Sequence, residues 1–378
     1  WPELFARETR RSRPRIEFGL MFFGGGESEH AREKYRLVIE CARFADQRGF
    51  AAIWLPERHF TRLGCLYPNP AVLHAALARE TRRIRLRAGS VVLPLHHPVR
   101  VAEEWSVVDN LSDGRVEISF APGWNPEDFV LAPQGYEDRH EAMFAAIETV
   151  ERLWSGQPIR SQSGNGSWVE VRTSPRPIQP RLPKWVTAAA NPATFRRAGQ
   201  TGAHLFTHLF DLSVDRLAEM IGLYRDARQQ SGLEPEGGRV AVAMHTFLAD
   251  DLDAVRCHSY RPFCDYLKSN AGLVAKLALS RGMTVDVSRL TERQLDDAVD
   301  LLYEKFLNGR SLLGTPETYA SQVEQLVKIG VNEVACLLDF GPEPDAILGE
   351  LESLDRLRRR FAEPATVAQT ALAAVPGE

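Results

Sequence analysis

The sequence predicts an α/β fold, a (β/α)8 TIM barrel with insertions near residues 156–183 and 254–312. Three observations carry that expectation. Apolar runs of strand length alternate with amphipathic stretches of helical period along most of the chain. Gly, Pro, Asn and Asp punctuate the alternation as turns and caps. Polar, titratable residues recur just after the apolar runs, where a barrel keeps its chemistry. The strongest instance is Ile53-Trp54-Leu55-Pro56-Glu57-Arg58-His59-Phe60. There a strand-like run stops at a proline and passes into a carboxylate, a guanidinium, an imidazole and a phenyl ring. Such groups are costly at the end of a buried strand unless something binds or reacts nearby.

The elements follow in order. Residues 16–23 read as the first strand and 31–48 as the first helix, with Tyr35, Val38, Cys41, Ala42 and Ala45 on one face and Gly49 as its stop. Strand two is 51–55, and the helix at 70–80 opens on Pro70. Strand three is 84–93 and its helix 99–111; Asp113-Gly114 then turns the chain into strand four at 116–120, and 139–154 is a long helix. Between 156 and 183 Ser, Gly, Asn and Pro accumulate, and Trp168-Val169-Glu170-Val171 reads as a hairpin arm, an excursion rather than a domain boundary. Strand five is 185–189 with a helix from Pro192, strand six is 204–206 with a helix at 214–231, and strand seven is 240–248. Residues 254–312 are helical by pattern but too long for one crossover. A helix at 315–330, strand eight at 333–338 and a closing helix at 344–361 complete one domain over 16–361, the last with Ile347, Leu351, Leu354 and Leu357 inward.

A doubly wound sheet is the rival fold. It would show a GxGxxG loop after strand one, and Gly24-Gly25-Gly26 has neither that spacing nor an acidic partner. Residues 1–15 form an N-terminal extension and 362–378 an Ala-, Pro- and Thr-containing tail of linker composition. The start at Trp1 fits ordinary processing and fits a domain of a longer polypeptide.

Forty-six basic residues against fifty acidic ones leave a net charge of −4, which argues against a nucleic-acid surface. No apolar run reaches the length of a membrane-spanning helix. The arginine-rich front (Arg7, Arg10, Arg11, Arg13, Arg15) lacks the apolar core of a signal peptide. Cys41, Cys65, Cys257, Cys264 and Cys336 form no CxxC pair and read as free thiols of a reducing cytoplasm.

The strand ends collect the candidate chemistry: Gly24–Gly26, then Glu57, Arg58 and His59, then His96 and His97, then Gly123-Trp124-Asn125, then Ala190-Asn191, His208 and Asp339, with His245 inside strand seven. A metal is not expected, because no HxH or HExxH occurs and Arg58 would repel a cation. The loop Ala188–Thr194 opens a helix, so its N–H groups with Asn191 and Thr194 suit a phosphate monoester. An ordinary Asn cap followed by Pro fits the same residues.

Several ordered motifs resemble those of the bacterial luciferase-like flavin monooxygenases. They are Gly49-Phe50, Trp54 to Thr61, Asn69-Pro70, Val92-Leu93-Pro94, His97-Pro98-Val99-Arg100, Leu111 to Arg115 and Gly123 to Phe129. Within that family the chain is most similar to the branch found with polyketide and nonribosomal-peptide assembly lines. The resemblance implies a barrel that binds reduced FMN, supplied by a separate NAD(P)H-dependent flavin reductase, and uses O2 through a C4a-(hydro)peroxyflavin. It implies Ala190, Asn191 and Thr194 around the flavin phosphate, a cis Gly89-Ser90 bond beside the flavin ring, His97 near its edge, and Ala121 and Gly123 among the cofactor contacts. Glu57, Arg58 and His59 would be the catalytic residues, with His59 as the acid/base and Arg58 orienting the peroxide or substrate, and Trp54, Phe60 and Trp124 would be apolar walls of a substrate pocket or core packing. A natural-product intermediate, carrier-protein-bound, would be the substrate, and the chain would pair as a homodimer.

Two positions depart from the light-emitting members. Arg58 stands where they carry a basic histidine, and Pro122 where they carry a phosphate-binding arginine. An arginine cannot act as a base near neutral pH, but it can hold an anionic oxygen. A deazaflavin-dependent oxidoreductase and a non-catalytic flavin-binding or docking domain are the alternatives.

Overall fold

The computed structural model of the chain describes residues 15–23, 31–60, 66–210, 212–269 and 291–362. The Gly24–Gly26 run, Thr61, Cys65 and nearly all of both terminal segments lie outside the described residues.

The chain builds β1 (Glu17–Met21), α1 (Ala31–Arg48), β2 (Ala52–Leu55), α2 (Pro70–Glu80), β3 (Arg85–Val92), α3 (Pro98–Ser112), β4 (Val116–Ala121) and α4 (Arg139–Trp154). After β5 (Ile159–Gln162) and β6 (Trp168–Val171) come β7 (Lys184–Thr187), α5 (Pro192–Gln200), β8 (His204–His208), α6 (Val214–Gln230) and β9 (Val240–Leu248). The last part holds α7 (Leu252–Ser269), α8 (Glu292–Leu307), β10 (Leu312–Gly314), α9 (Pro316–Lys328), β11 (Glu333–Leu337), α10 (Pro344–Gly349) and α11 (Leu351–Phe361).

Strands β1, β2, β3, β4, β7, β8, β9 and β11 pair in parallel in that order, and β11 returns to β1. The result is the closed eight-stranded (β/α)8 TIM barrel that the alternation predicts. Residues 156–183 leave the barrel as expected: among the described residues β5 and β6 pair only with each other, antiparallel, while β4 pairs directly with β7. The second insertion holds α7 and α8, but it also ends in β10, which lies along the outer part of β9 with Leu312 beside Thr246. Three residues carry no readable period, so the sequence does not announce this strand. The single closing helix expected at 344–361 is two helices, because Glu350 leaves the helical conformation just after Gly349, a weak helix former. No helix among the described residues is long and apolar enough to cross a membrane.

Local chemistry fixes the strand–helix joints. Asn69 accepts from the N–H groups of Ala71 (2.9 Å) and Val72 (3.3 Å) and so starts α2, with Pro70 where a missing N–H costs nothing. Asp46 on α1 accepts from the backbone N–H groups of Arg82 (3.1 Å), Arg83 (2.6 Å) and Ile84 (2.8 Å), which ties the entry of β3 to the first helix. Burial pushes its carboxyl up, and the three N–H donors outweigh this and hold it below the usual range. Hydrogen bonds to a charged acceptor contribute roughly 2 kcal/mol. Asp46→Ala is therefore expected to lower the urea midpoint at pH 7 and to lose this effect as pH falls through the folded carboxyl value. An unchanged midpoint at pH 7 would show that the tie contributes nothing.

The lower interior of the barrel is closed by a charged plug. Arg87 donates to Glu117 (2.7 Å) and to Glu333 (2.5 Å), while Trp54 donates to Glu333 (2.9 Å) and Trp185 to Glu117 (2.7 Å). The guanidinium lies between the two indoles, 4.9 Å and 4.8 Å from their ring centres. Trp54 also stacks on Phe206 at 4.4 Å and is fully buried. It is therefore a plug residue, and the expectation that it walls a substrate pocket is corrected to its core alternative.

Candidate active site

Above the plug the interior turns small and hydroxyl-bearing. A Cβ on Gly89 of β3 would press on the Trp54 ring at 3.0 Å, tighter than ordinary packing. Its bond to Ser90 is a non-proline cis peptide, at the position the resemblance implies. Ser90 and Ser119 both share hydrogen bonds with Thr187, the latter at 2.7 Å, so β3, β4 and β7 present a linked row of hydroxyls. Ala121 is half-buried at the end of β4. Gly123 follows with φ +81°, and a Cβ there would meet Phe129 and Val92 at 2.9 Å, so both conformation and space require glycine.

The end of β2 carries the titratable unit. Glu57 is buried. One of its oxygens, Oε1, meets Nε2 of His59 (2.8 Å) and Nε2 of His96 (2.5 Å), and the other accepts from the Val92 N–H (2.8 Å). Burial pushes the Glu57 carboxyl up, and the two imidazoles with the Val92 N–H more than compensate and hold it below the usual range. Burial pulls His96 down, and its bond to Glu57, helped by Glu104, brings it above the usual imidazole value.

Arg58 turns the other way. It is 8% exposed, and its guanidinium lies over the Phe23 ring at 4.4 Å and the Trp124 ring at 5.4 Å. Among the described residues it forms no ion pair and no side-chain hydrogen bond. Burial lowers its pKa while Tyr266 and Asp128 act in the opposite sense. Asp128 itself is raised by burial against the pull of Asn125, which donates to it at 2.8 Å. Asp339, fully buried at the end of the last barrel strand, accepts from the Phe23 N–H (2.6 Å) and the Tyr67 hydroxyl (3.0 Å) and fixes the neighbouring rim.

The remaining expected positions lie where strand ends put them, in differing states. Phe60 (59% exposed) and Trp124 (51% exposed) stand on the rim, and Phe60 has φ +51°, a strained conformation for a bulky residue. His97 caps α3, its Nδ1 accepting from the Val99 N–H at 3.3 Å. Ala190 and Asn191 are exposed ahead of α5, where Asn191 accepts from the Ala193 N–H at 3.0 Å, and Thr194 is buried in its first turn. His245 lies inside a cage of Phe210, Phe263, Tyr266, Phe306 and Phe340, and burial lowers its pKa to about 3.

Sequence reasoning missed His96 as the second partner of Glu57, and it missed Tyr266, Asp128 and the hydroxyl row. A signal for His96 existed. Pro98 marks His97 as a helix cap, which frees the residue before it to face the barrel.

The donors on this rim suit a flat, phosphorylated cofactor. The interior offers a floor of small and hydroxyl-bearing residues, and α5 offers an exposed start at Ala190 and Asn191, while the buried Nε2 atom of His245, inside its aromatic cage, has no hydrogen-bond partner among the described residues. Fold and rim together place a carboxylate–imidazole cluster and a guanidinium without an ion pair among the described residues at one end of a barrel.

The chain belongs to the luciferase-like monooxygenase family, whose model matches residues 16–333. That is a family of flavin-dependent oxidoreductases, and the protein is an enzyme of the flavin-dependent monooxygenase class. Similar proteins include the oxygenase component of a flavin-dependent trigonelline monooxygenase of Acinetobacter baylyi, 28% identical over 67% of this chain and 72% of that one. The 4-hydroxyprotoasukamycin monooxygenase of Streptomyces nodosus subsp. asukaensis is 28% identical over 75% of this chain and 67% of its own. Among solved structures, the oxygenating constituent of 3,6-diketocamphane monooxygenase from Pseudomonas putida, in complex with FMN, superposes with a TM-score of 0.71 at 19% identity, covering 92% of this chain and all of that one (100%). An F420-dependent secondary alcohol dehydrogenase does so with 0.68 at 15% identity, covering 92% and 100%. At such identities these two likenesses show the fold alone.

Proposed function

We propose that the protein is the oxygenase component of a two-component system. It takes reduced FMN from a separate NAD(P)H-dependent reductase and, with O2, places one oxygen atom in a natural-product intermediate held on a carrier protein. The observation that carries this reading is the buried Arg58, without an ion pair among the described residues, beside the Glu57–His59 unit and framed by Phe23 and Trp124. A trapped guanidinium is a ready partner for negative charge that develops during oxygen transfer, and an imidazole fixed by a carboxylate is a ready acid/base. The name of the Acinetobacter relative, an oxygenase component, supports the separate reductase, and that of the Streptomyces relative supports the substrate class.

Ala190, Asn191 and Thr194 would hold the flavin phosphate, and the Gly89-Ser90 segment, Ala121, Gly123 and His97 would border the rest. When bound, reduced flavin supplies the activation of O2. The chain's own residues supply the rest. Glu57 fixes the His59 ring through Nε2 and leaves Nδ1 as the atom that exchanges a proton with a reacting group. Arg58 stays charged at neutral pH and orients an anionic or carbonyl oxygen. The rings of Phe23, Trp124 and Phe60 narrow the mouth and limit water. Two imidazoles held on one carboxylate favour a working enzyme over a docking domain.

Parallel anaerobic titrations with reduced FMN and a reduced deazaflavin test the cofactor. FMN is expected to bind the tighter, and admission of 18O2 with acyl–carrier-protein conjugates is expected to give product carrying one 18O. Tighter deazaflavin binding, with no oxygen consumed, would overturn the reading.

A further inference from the structure

Glu57 is bonded on both sides, and the two sides differ in what they reach. His59 is nearly buried toward the mouth, its side chain 10% exposed, whereas the His96 side chain is 29% exposed. Beside Glu57 and His96 lies a recess of about 10 Å³ lined also by Asn69, Glu104 and Trp105. That volume is about the size needed for one water, and Glu57, Asn69, Glu104 and His96 offer it polar partners. The cluster thus joins a water-sized recess, an imidazole, a carboxylate and a second imidazole through contacts of 2.5 Å and 2.8 Å on one oxygen.

We propose that His96 is a proton-transfer residue of the site, passing protons from this recess through Glu57 to His59. His96 takes a proton on Nδ1 from water and releases its Nε2 proton to Oε1 of Glu57. From the tautomer of His59 that carries its proton on Nδ1, Glu57 passes the proton on to Nε2 as Nδ1 gives its own to the reacting group, and both rings then exchange tautomers through water to reset. One proton enters, one leaves, and no charge accumulates. The charged groups facing the relay are Arg58 and Asp128 at the mouth end and Glu104, itself paired with Arg100 at 2.8 Å, at the recess end. Glu104 favours a proton on His96, so the outer ring collects protons where the mouth itself presents a cation.

The role rests on the proposed function for its purpose, but its test does not depend on flavin alone. In flavin-free protein, 15N NMR is expected to show the ring tautomer of His59 change in His96→Gln, because both rings share Oε1 of Glu57. A His59 tautomer that is the same in the wild type and in His96→Gln would overturn the relay. In the reduced-FMN complex mixed with O2, net release of hydrogen peroxide consumes one proton per reduced flavin anion and O2. His96→Gln keeps an N–H for Glu57 but carries no proton. It is expected to slow that release roughly 100-fold and to flatten the pH profile, with reduced-FMN affinity unchanged and added imidazole restoring part of the rate. A wild-type rate and pH profile in His96→Gln would also overturn the proposal. If the wild type binds no reduced FMN, the proposed function fails while the NMR experiment still decides the relay.

Discussion

Arg58→Ala is expected to cut substrate oxygenation by roughly 100- to 1000-fold, the range for removal of one donor aimed at developing charge. The oxygen consumed should then appear as hydrogen peroxide rather than product. The expectation follows from a guanidinium that has no ion pair among the described residues and is 8% exposed, so its charge is available to whatever enters the mouth. Arg58→Lys keeps the charge but loses the planar stack over Phe23 and Trp124, and should recover only part of the rate. Both variants are to be measured as product and peroxide formed per O2, on a substrate that the wild type oxygenates. If Arg58→Ala keeps the wild-type rate and coupling, the guanidinium only packs between the rings.

The second large effect concerns stability. Arg87→Met leaves Glu117 and Glu333 facing each other in the lower barrel with their common cation gone. Breaking a buried charge network on one side costs about 3–5 kcal/mol. In the wild type burial pushes the Glu117 carboxyl up, and Arg87 with the Trp185 N–H and Arg85 outweighs this and holds it below the usual range. A depressed folded value means stability that is present above the unfolded carboxyl pKa and is lost as pH falls through the folded one. The difference between wild type and Arg87→Met should therefore be largest near pH 7 and shrink toward the carboxylate range. Denaturant unfolding at several pH values measures it, and a difference that grows on acidification would refute the network as described.

How much of this was legible depended on the range of the interactions. Helices with their own period and caps, such as residues 31–48, 70–80 and 139–154, fall at the predicted residues because their signals are local. Strand nine of the chain is equally clear, as nine apolar-rich residues in one run. The plug was not legible: Arg87 and Glu117 look like polar interruptions until strand register sets them side by side, and Glu333 joins from 246 positions away. The site was legible by position but not by partner. Glu57, Arg58 and His59 could be picked from one stretch, whereas the choice between His96 and His97 needed the start of α3 to fix which ring turns inward.

The short strand β10 bears on how this protein's specificity could diversify. The exit of the α7–α8 excursion is stitched to β9 by backbone pairing over Leu312–Gly314. Backbone pairing is indifferent to side-chain identity. The excursion can therefore accept extensive change in the aromatic cage around His245 while its return path stays in register with the same strand. Change in the side chains of α7 and α8 can be absorbed without losing the register at which the chain re-enters the barrel.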